Sequence, residues 1–178
     1  MKTAFILGLG ESLKEYDHHP NNITFGVNDI WSRYKTDYVI CLEKPKVMRS
    51  ITAERLTVIK ESRPKQFFTN ERGWTEFIPC VYKIELDRNI KLYTGRKFPC
   101  SNNSPFVAVA IAASMGFKEI VLYGIDFKTH WQLSNHPQQK RIIHDYSLLN
   151  EELKKKNITL YIGTNKSILS KSLPLWKK

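Results

Sequence analysis

The sequence predicts a single α/β domain built on a mainly parallel sheet, and three observations carry that expectation. Short apolar runs of strand length alternate with helical patterns, as they do in chains assembled from βαβ units. The two clearest helical patterns differ in kind: one is Ala-rich and apolar on most sides, the other has a single apolar stripe. A length of 178 residues with 42% hydrophobic and 12% aromatic content fits one core rather than two. Together they describe a Rossmann-like three-layer sandwich occupying residues 1–178.

Each element has its own justification. Residues 4–9 (AFILGL) read as a buried first strand running into Gly8-Leu9-Gly10-Glu11-Ser12. Two glycines there allow a tight turn and close backbone approach, and Ser12 can cap the next helix. Residues 23–27 (ITFGV) and 38–42 (YVICL) read as the second and third strands, joined through a short helix near 30–34. A polar-faced helix is expected over 53–61 and a short fourth strand over 66–69. Residues 75–93 contain β-rich pieces without a helical partner, so the stretch 70–100 reads as an insertion, an edge hairpin or a lid.

Asn103-Ser104-Pro105 then supplies a cap and a first-turn proline, opening a helix that runs through Met115 and stops at Gly116. Its alanines let it lie close against a sheet. Residues 118–123 (KEIVLY) read as a central strand leading straight into Gly124-Ile125-Asp126. A long helix over 138–156 carries Ile142, Tyr146, Leu149 and Leu153 on one stripe, and Lys154, Lys155 and Lys156 complement its dipole. A final strand over 158–162 precedes a basic, solvated tail, 164–178.

Charge and cysteine usage narrow the class. Lys and Arg number 28 against 17 Asp and Glu, a formal charge of +11 that attracts phosphates, nucleotides, nucleic acids and anionic surfaces. Residues 3–9 lack the flanks of a signal peptide and 106–115 are too few to span a bilayer. Cys41, Cys80 and Cys100 are odd in number and far apart, which argues against a disulfide framework or structural zinc and for a reducing cytoplasm.

In an open parallel sheet, ligands gather beyond the carboxyl ends of the strands. The glycine turn with Ser12, Asn28-Asp29, Glu43 and Asp126 all fall at such ends, and Asn103-Ser104 sits at a helix start suited to phosphate. Among the five histidines, His136 is preferred as a general base, because it closes the polar loop that comes after Asp126. No GxxxxGK[ST], HExxH, DxD or GxSxG motif is present, which disfavours P-loop, zinc-protease and serine-esterase chemistry and favours catalysis without metal.

The ordered blocks around Gly8–Glu15, Gly26-Val27-Asn28, Asn103-Ser104, Gly116–Phe127 and Asn165–Leu169 resemble the bacterial sialyltransferases of glycosyltransferase family 42. The resemblance covers roughly half the chain, at its two ends. It implies a variant GT-A fold that takes a CMP-sugar as donor substrate, with no cofactor, and transfers the sugar by inversion to a hydroxyl acceptor. It further implies that Gly8, Gly10 and Ser12 hug the phosphate, that Asn28 touches the nucleotide beside Asp29, and that Asn103 and Ser104 bind the donor. Asp126 supports catalysis from its strand end, and Lys128 replaces an aromatic residue of the family with positive charge. The base falls at His136, or at Lys140 by an ungapped match from the C-terminus. The chain differs from the family at Leu9 and at Leu42-Glu43-Lys44, and its length leaves few residues for an acceptor lid. Two alternatives accompany this reading. One is a pyrophosphokinase-type phosphotransfer enzyme of the same superfamily. The other is a non-catalytic nucleotide or nucleic-acid binding module using Trp31, Trp74, Trp131 and Trp176 for stacking.

Overall fold

The polar strand ends do share one edge of a sheet. The computed structural model describes residues 2–32, 34–45, 61–101, 103–127 and 136–177. In chain order the strands are β1 (Thr3–Leu7), β2 (Ile23–Val27), β3 (Tyr38–Ile40), β4 (Gln66–Thr69), β5 (Val81–Lys83), β6 (Glu85–Asp87), β7 (Lys97–Pro99), β8 (Glu119–Tyr123) and β9 (Thr159–Ile162). Two helices, α1 (Ser104–Ser114) and α2 (His136–Lys154), complete the described α/β frame. Seven strands form one sheet in the order β5-β4-β3-β2-β1-β8-β9, and every neighbouring pair is parallel. Parallel strands covered on both faces need continuous apolar runs, and β1 is buried at four of its five positions.

Alternation along each strand divides the core. Ala4 and Ile6 of β1, with Ile120 and Leu122 of β8, belong to the cluster that meets α1. Eight of the eleven α1 residues are buried there, which explains why this helix shows no polar face in the sequence. Each fully buried Val or Ile of α1 stabilises the fold by about 1.5–3 kcal/mol relative to exposure. On the other face Phe5, Leu7, Val121 and Tyr123 gather with Leu13, Tyr16 and Ile30. The described cover on that side consists of a 3-10 turn at Glu11–Glu15 and of aromatic contacts, including Tyr16–Tyr123 at 5.4 Å and Tyr161–Trp176 at 4.9 Å.

Several boundaries differ from expectation. The third strand ends at Ile40, the helix near 30–34 is a 3-10 turn at Asn28–Ser32, and α2 starts and stops two residues earlier than its stripe suggested. The helix expected over 53–61 lies outside the described residues but for its last position. Residues 70–100 are woven into the domain: β5 is the edge strand of the main sheet, β6 pairs with β7, and Ile84, Leu92 and Phe98 join the main core. Strands of three residues are too short to show a period, which is why they resisted reading.

The basic tail is not solvated as a whole. Ser167 caps a 3-10 turn at Ile168–Lys171, and Ile168, Leu169 and Leu173 are buried. Beyond them the Trp176 N–H donates to the Ile162 carbonyl at 2.8 Å, and the Ile162 N–H donates to Pro174 at 3.0 Å. Lys166, Lys171 and Lys177 stay exposed while the apolar residues between them turn inward. Among the described residues no helix is long and apolar enough to cross a membrane.

Candidate functional site

Connections leave the sheet in opposite directions from β1 and β8, so the strand order reverses between them. Such a switch leaves a crevice beyond the carboxyl ends. A cavity of about 1290 Å³ opens there, and its two sides are built differently.

The sheet side is a set of interlocked loops. Gly8 donates its N–H to Tyr123 O at 2.9 Å and Gly10 donates to Gly124 O at 2.8 Å, which ties the turn after β1 to the turn after β8. Asp126 accepts the Ser12 N–H at 2.8 Å and, through its other oxygen, the Ser12 hydroxyl. That hydroxyl in turn accepts the Gly124 N–H at 2.9 Å. Glycine is required at two of these positions for different reasons. A Cβ on Gly10 would lie 2.5 Å from Asp126 Oδ2, and Gly124 has φ +67° with the Gly8 carbonyl pressed against it.

These bonds reassign three of the expected contacts. The N–H groups of Gly8 and Gly10 are committed to β8 and its loop, so the glycines contribute space and backbone proximity. Ser12 is fully buried beneath the turn, where it braces the loop and offers a ligand no surface. Asp126, 8% exposed, lines the cavity while both of its oxygens hold Ser12. Leu9 stands at the tip of the turn, 41% exposed.

The start of α1 and the end of β2 meet beside this brace. Asn28 has φ +52°, a left-handed conformation that an Asn tolerates. There its Oδ1 accepts the Ser104 hydroxyl at 2.8 Å. Asn103 caps α1 by accepting the Phe106 N–H at 3.3 Å, and the same Oδ1 receives the Tyr146 hydroxyl at 3.4 Å. Asp29 comes next in the 3-10 turn, half-buried and off the cavity wall. Glu43 lines the cavity after β3, its carbonyl held by the Trp74 indole N–H at 2.9 Å. Trp74 is fully buried, so it is a core residue and no stacking platform; Trp176 packs on Phe5 and Tyr161. Trp131 and the Trp31 side chain lie outside the described residues. Burial pushes the Cys41 thiol up to about 12, which removes it as a nucleophile at neutral pH.

The opposite side of the cavity comes from α2 and from the link between β6 and β7. Arg141, Asp145 and Glu152 of α2 and Arg88 and Lys91 of the link line it. Sequence reasoning passed over these residues, although the i,i+4 pair Arg141–Asp145 was visible as helix-surface charge. Tyr146 stands on the apolar stripe of α2. It is fully buried and burial raises its hydroxyl above the ordinary phenol value, so it remains a protonated donor. His136 opens α2, but its side chain lies outside the described residues, as does the whole of Lys128. Lys140 is exposed on α2 and does not line the cavity.

No family model matches the chain, and no curated protein does either. Solved structures match over its whole length. The sialyltransferase CstII from Campylobacter jejuni, in complex with cytidine-5'-monophosphate, is similar at 19% identity with a TM-score of 0.60, covering 100% of this chain and 86% of that one. The monofunctional alpha-2,3-sialyltransferase Cst-I from Campylobacter jejuni is similar at 19% identity and TM-score 0.60, covering 98% and 80%. A further CstII structure, with a trisaccharide acceptor and CMP, gives 18% identity and TM-score 0.59 over 98% and 86%. The all-parallel seven-strand sheet and these full-length matches give the chain the α/β fold of the Campylobacter sialyltransferases, the resemblance its sequence blocks implied.

Proposed function

We propose that the crevice between β1 and β8 binds a nucleotide-activated sugar of the CMP type and passes the sugar to a hydroxyl acceptor without a metal ion. The observation that supports this most is the convergence, in one cavity, of the interlocked glycine turns with Asn28 and the capped start of α1. The structural neighbours that bind CMP share the fold around it.

In this reading the positive end of α1 faces the donor phosphate. Asn28 spends its amide oxygen on Ser104, which leaves its NH₂ to donate to the nucleotide. Asp126 acts through Ser12, holding the turn so that Gly8 and Gly10 let the donor approach the backbone. His136 takes the acceptor's hydroxyl proton as the oxygen attacks the anomeric carbon. The bond from that carbon to the nucleotide phosphate breaks in line, which inverts the centre, and Lys128 offsets the charge gathering on the departing phosphate.

A thermal-shift series with CMP, UMP, GMP and AMP tests the donor class, and CMP is expected to give the largest rise. Absence of a rise with any nucleotide at millimolar concentration would overturn the reading. His136→Ala is expected to abolish transfer from a CMP-sugar while leaving the CMP-induced shift intact; normal turnover in that variant would remove His136 as the base.

A further inference from the structure

The cavity is larger than one small-molecule site needs, since such sites usually run from about 300 to 1000 Å³ and this one holds about 1290 Å³. Its charges show what the additional space suits. Four carboxylates line it, and three of them are already answered. Asp126 holds Ser12, Asp145 faces Arg141 at 3.9 Å, and Glu152 pairs with Lys155 at 2.7 Å. The fourth, Glu43, stands after β3 on the sheet side. Of the cations, Arg88 and Lys91 have no ion-pair partner among the described residues. Lys91 adds only a minor downward pull on the Glu152 carboxyl, which sets it across the mouth from α2.

The backbone of the link that carries these two cations is held in place. Asp87 accepts the Asn89 N–H on its side chain at 2.9 Å, while its carbonyl accepts Ile90 N–H at 3.3 Å and Cys100 N–H at 3.1 Å. Leu92, buried in the main core, anchors the next position. The neighbouring cations of the same ribbon are engaged: Lys97 pairs with Asp87 at 3.5 Å and Arg96 lies 5.3 Å from the Tyr82 ring centre. Among the described residues, Arg88 and Lys91 are thus the two cations of the cavity lining without an ion-pair partner.

We propose that Arg88 and Lys91 form the acceptor subsite and recognise an acceptor carrying an anionic group, a phosphate or a carboxylate, beside its reacting hydroxyl. The inference rests on the donor reading, which assigns the sheet side of the cavity to the nucleotide. Two exposed cations on one link of the cavity wall suit an anion presented at the mouth, because charge-assisted bonds to both can form with water still reaching the rim.

Galactose, galactose 6-phosphate and galacturonic acid serve as neutral, phosphate and carboxylate probes of one size. Their affinities are measured by titration calorimetry on the full chain, with and without saturating CMP. The phosphate or carboxylate probe is expected to bind at least about tenfold more tightly than galactose. That advantage is expected to vanish in the Arg88→Gln/Lys91→Gln double variant with CMP affinity unchanged. A Lys171→Gln/Lys177→Gln variant removes the same charge away from the cavity and is expected to keep it. Equal binding of the three probes, or an anion preference that survives in the Arg88/Lys91 variant, would overturn the proposal. A loss of CMP affinity in that variant would also overturn it, by moving both cations to the donor. Failure of the donor reading looks different: CMP does not bind the unaltered chain, while the probe comparison is still read without it.

Discussion

The two sides of the cavity place opposite demands on the chain. On the sheet side, Gly8 bonds to Tyr123, and Gly10, Ser12, Gly124 and Asp126 bond to one another, across more than a hundred residues of sequence, and almost nothing polar is left over. On the α2 and ribbon side, Arg88, Lys91 and Arg141 stand in solvent, each with at most one ion-pair partner among the described residues. The first arrangement fixes a shape before any ligand arrives, which lowers the ordering cost of binding. The second leaves side chains free to read a ligand and tolerates substitution. In the proposed reading the first side supplies stability and the second supplies selectivity.

The largest expected effect breaks the shape itself. Gly124→Ala forces a side chain into a left-handed backbone and against the Gly8 carbonyl, a combined cost of about 3 kcal/mol. For a chain of this length that lowers Tm by roughly 6–12 °C, read by thermal unfolding. Next comes Asp126→Ala, which strands the Ser12 N–H and hydroxyl beneath the turn and costs about 2–3 kcal/mol in urea unfolding. Asp126→Asn keeps one acceptor and is expected to lose less.

Tyr146 joins the two sides, reaching from α2 to the Asn103 cap. Its bond is long at 3.4 Å, so Tyr146→Phe is expected to cost about 0.5–1 kcal/mol at neutral pH. The alkaline limb is more telling. Burial raises the folded value of this phenol above its unfolded value near 10. Its stabilising contribution is therefore complete below about pH 10 and is lost as pH rises further. Urea midpoints of the native chain should fall in that range, and those of Tyr146→Phe should fall less; parallel curves would dismiss the burial of this phenol as the source of the alkaline loss. The smallest effect belongs to Arg141→Ala. Its pairing with Asp145 is exposed on both sides, so no measurable change in Tm is expected, and any effect should be confined to substrate KM.

The same contrast explains what the sequence revealed. The strand-end glycines, Asn28, Asn103-Ser104 and Asp126 were legible because turn chemistry and capping are local: a glycine pair, a cap and a first-turn proline announce themselves within five residues. What Asp126 does was not legible. Its partner Ser12 is 114 residues away, and an acidic residue at a strand end carries no mark of facing a neighbouring loop. The short strands β5, β6 and β7 were hidden because three residues hold no period. The closing segment was misread because charge dominated its composition, while the spacing of Ile168, Leu169 and Leu173 already allowed a buried 3-10 turn. Arg88 and Lys91 were lost among 28 basic residues, and only the fold shows which of them have no ion-pair partner among the described residues.

The bonds that the closing segment makes to β9 have one more consequence. β9 ends the sheet on that side, and an unprotected strand in that position presents a row of backbone donors and acceptors to any passing chain. Ile162 is occupied from outside by Pro174 and Trp176, and a parallel bridge joins it to Leu175. Trp176 at the same time covers Phe5 and Tyr161. At Ile162 the segment thus occupies the backbone groups that an added strand would pair with. Its proteolytic removal would uncover a sticky strand and an aromatic patch together, and the product would be recognised by its tendency to form aggregates.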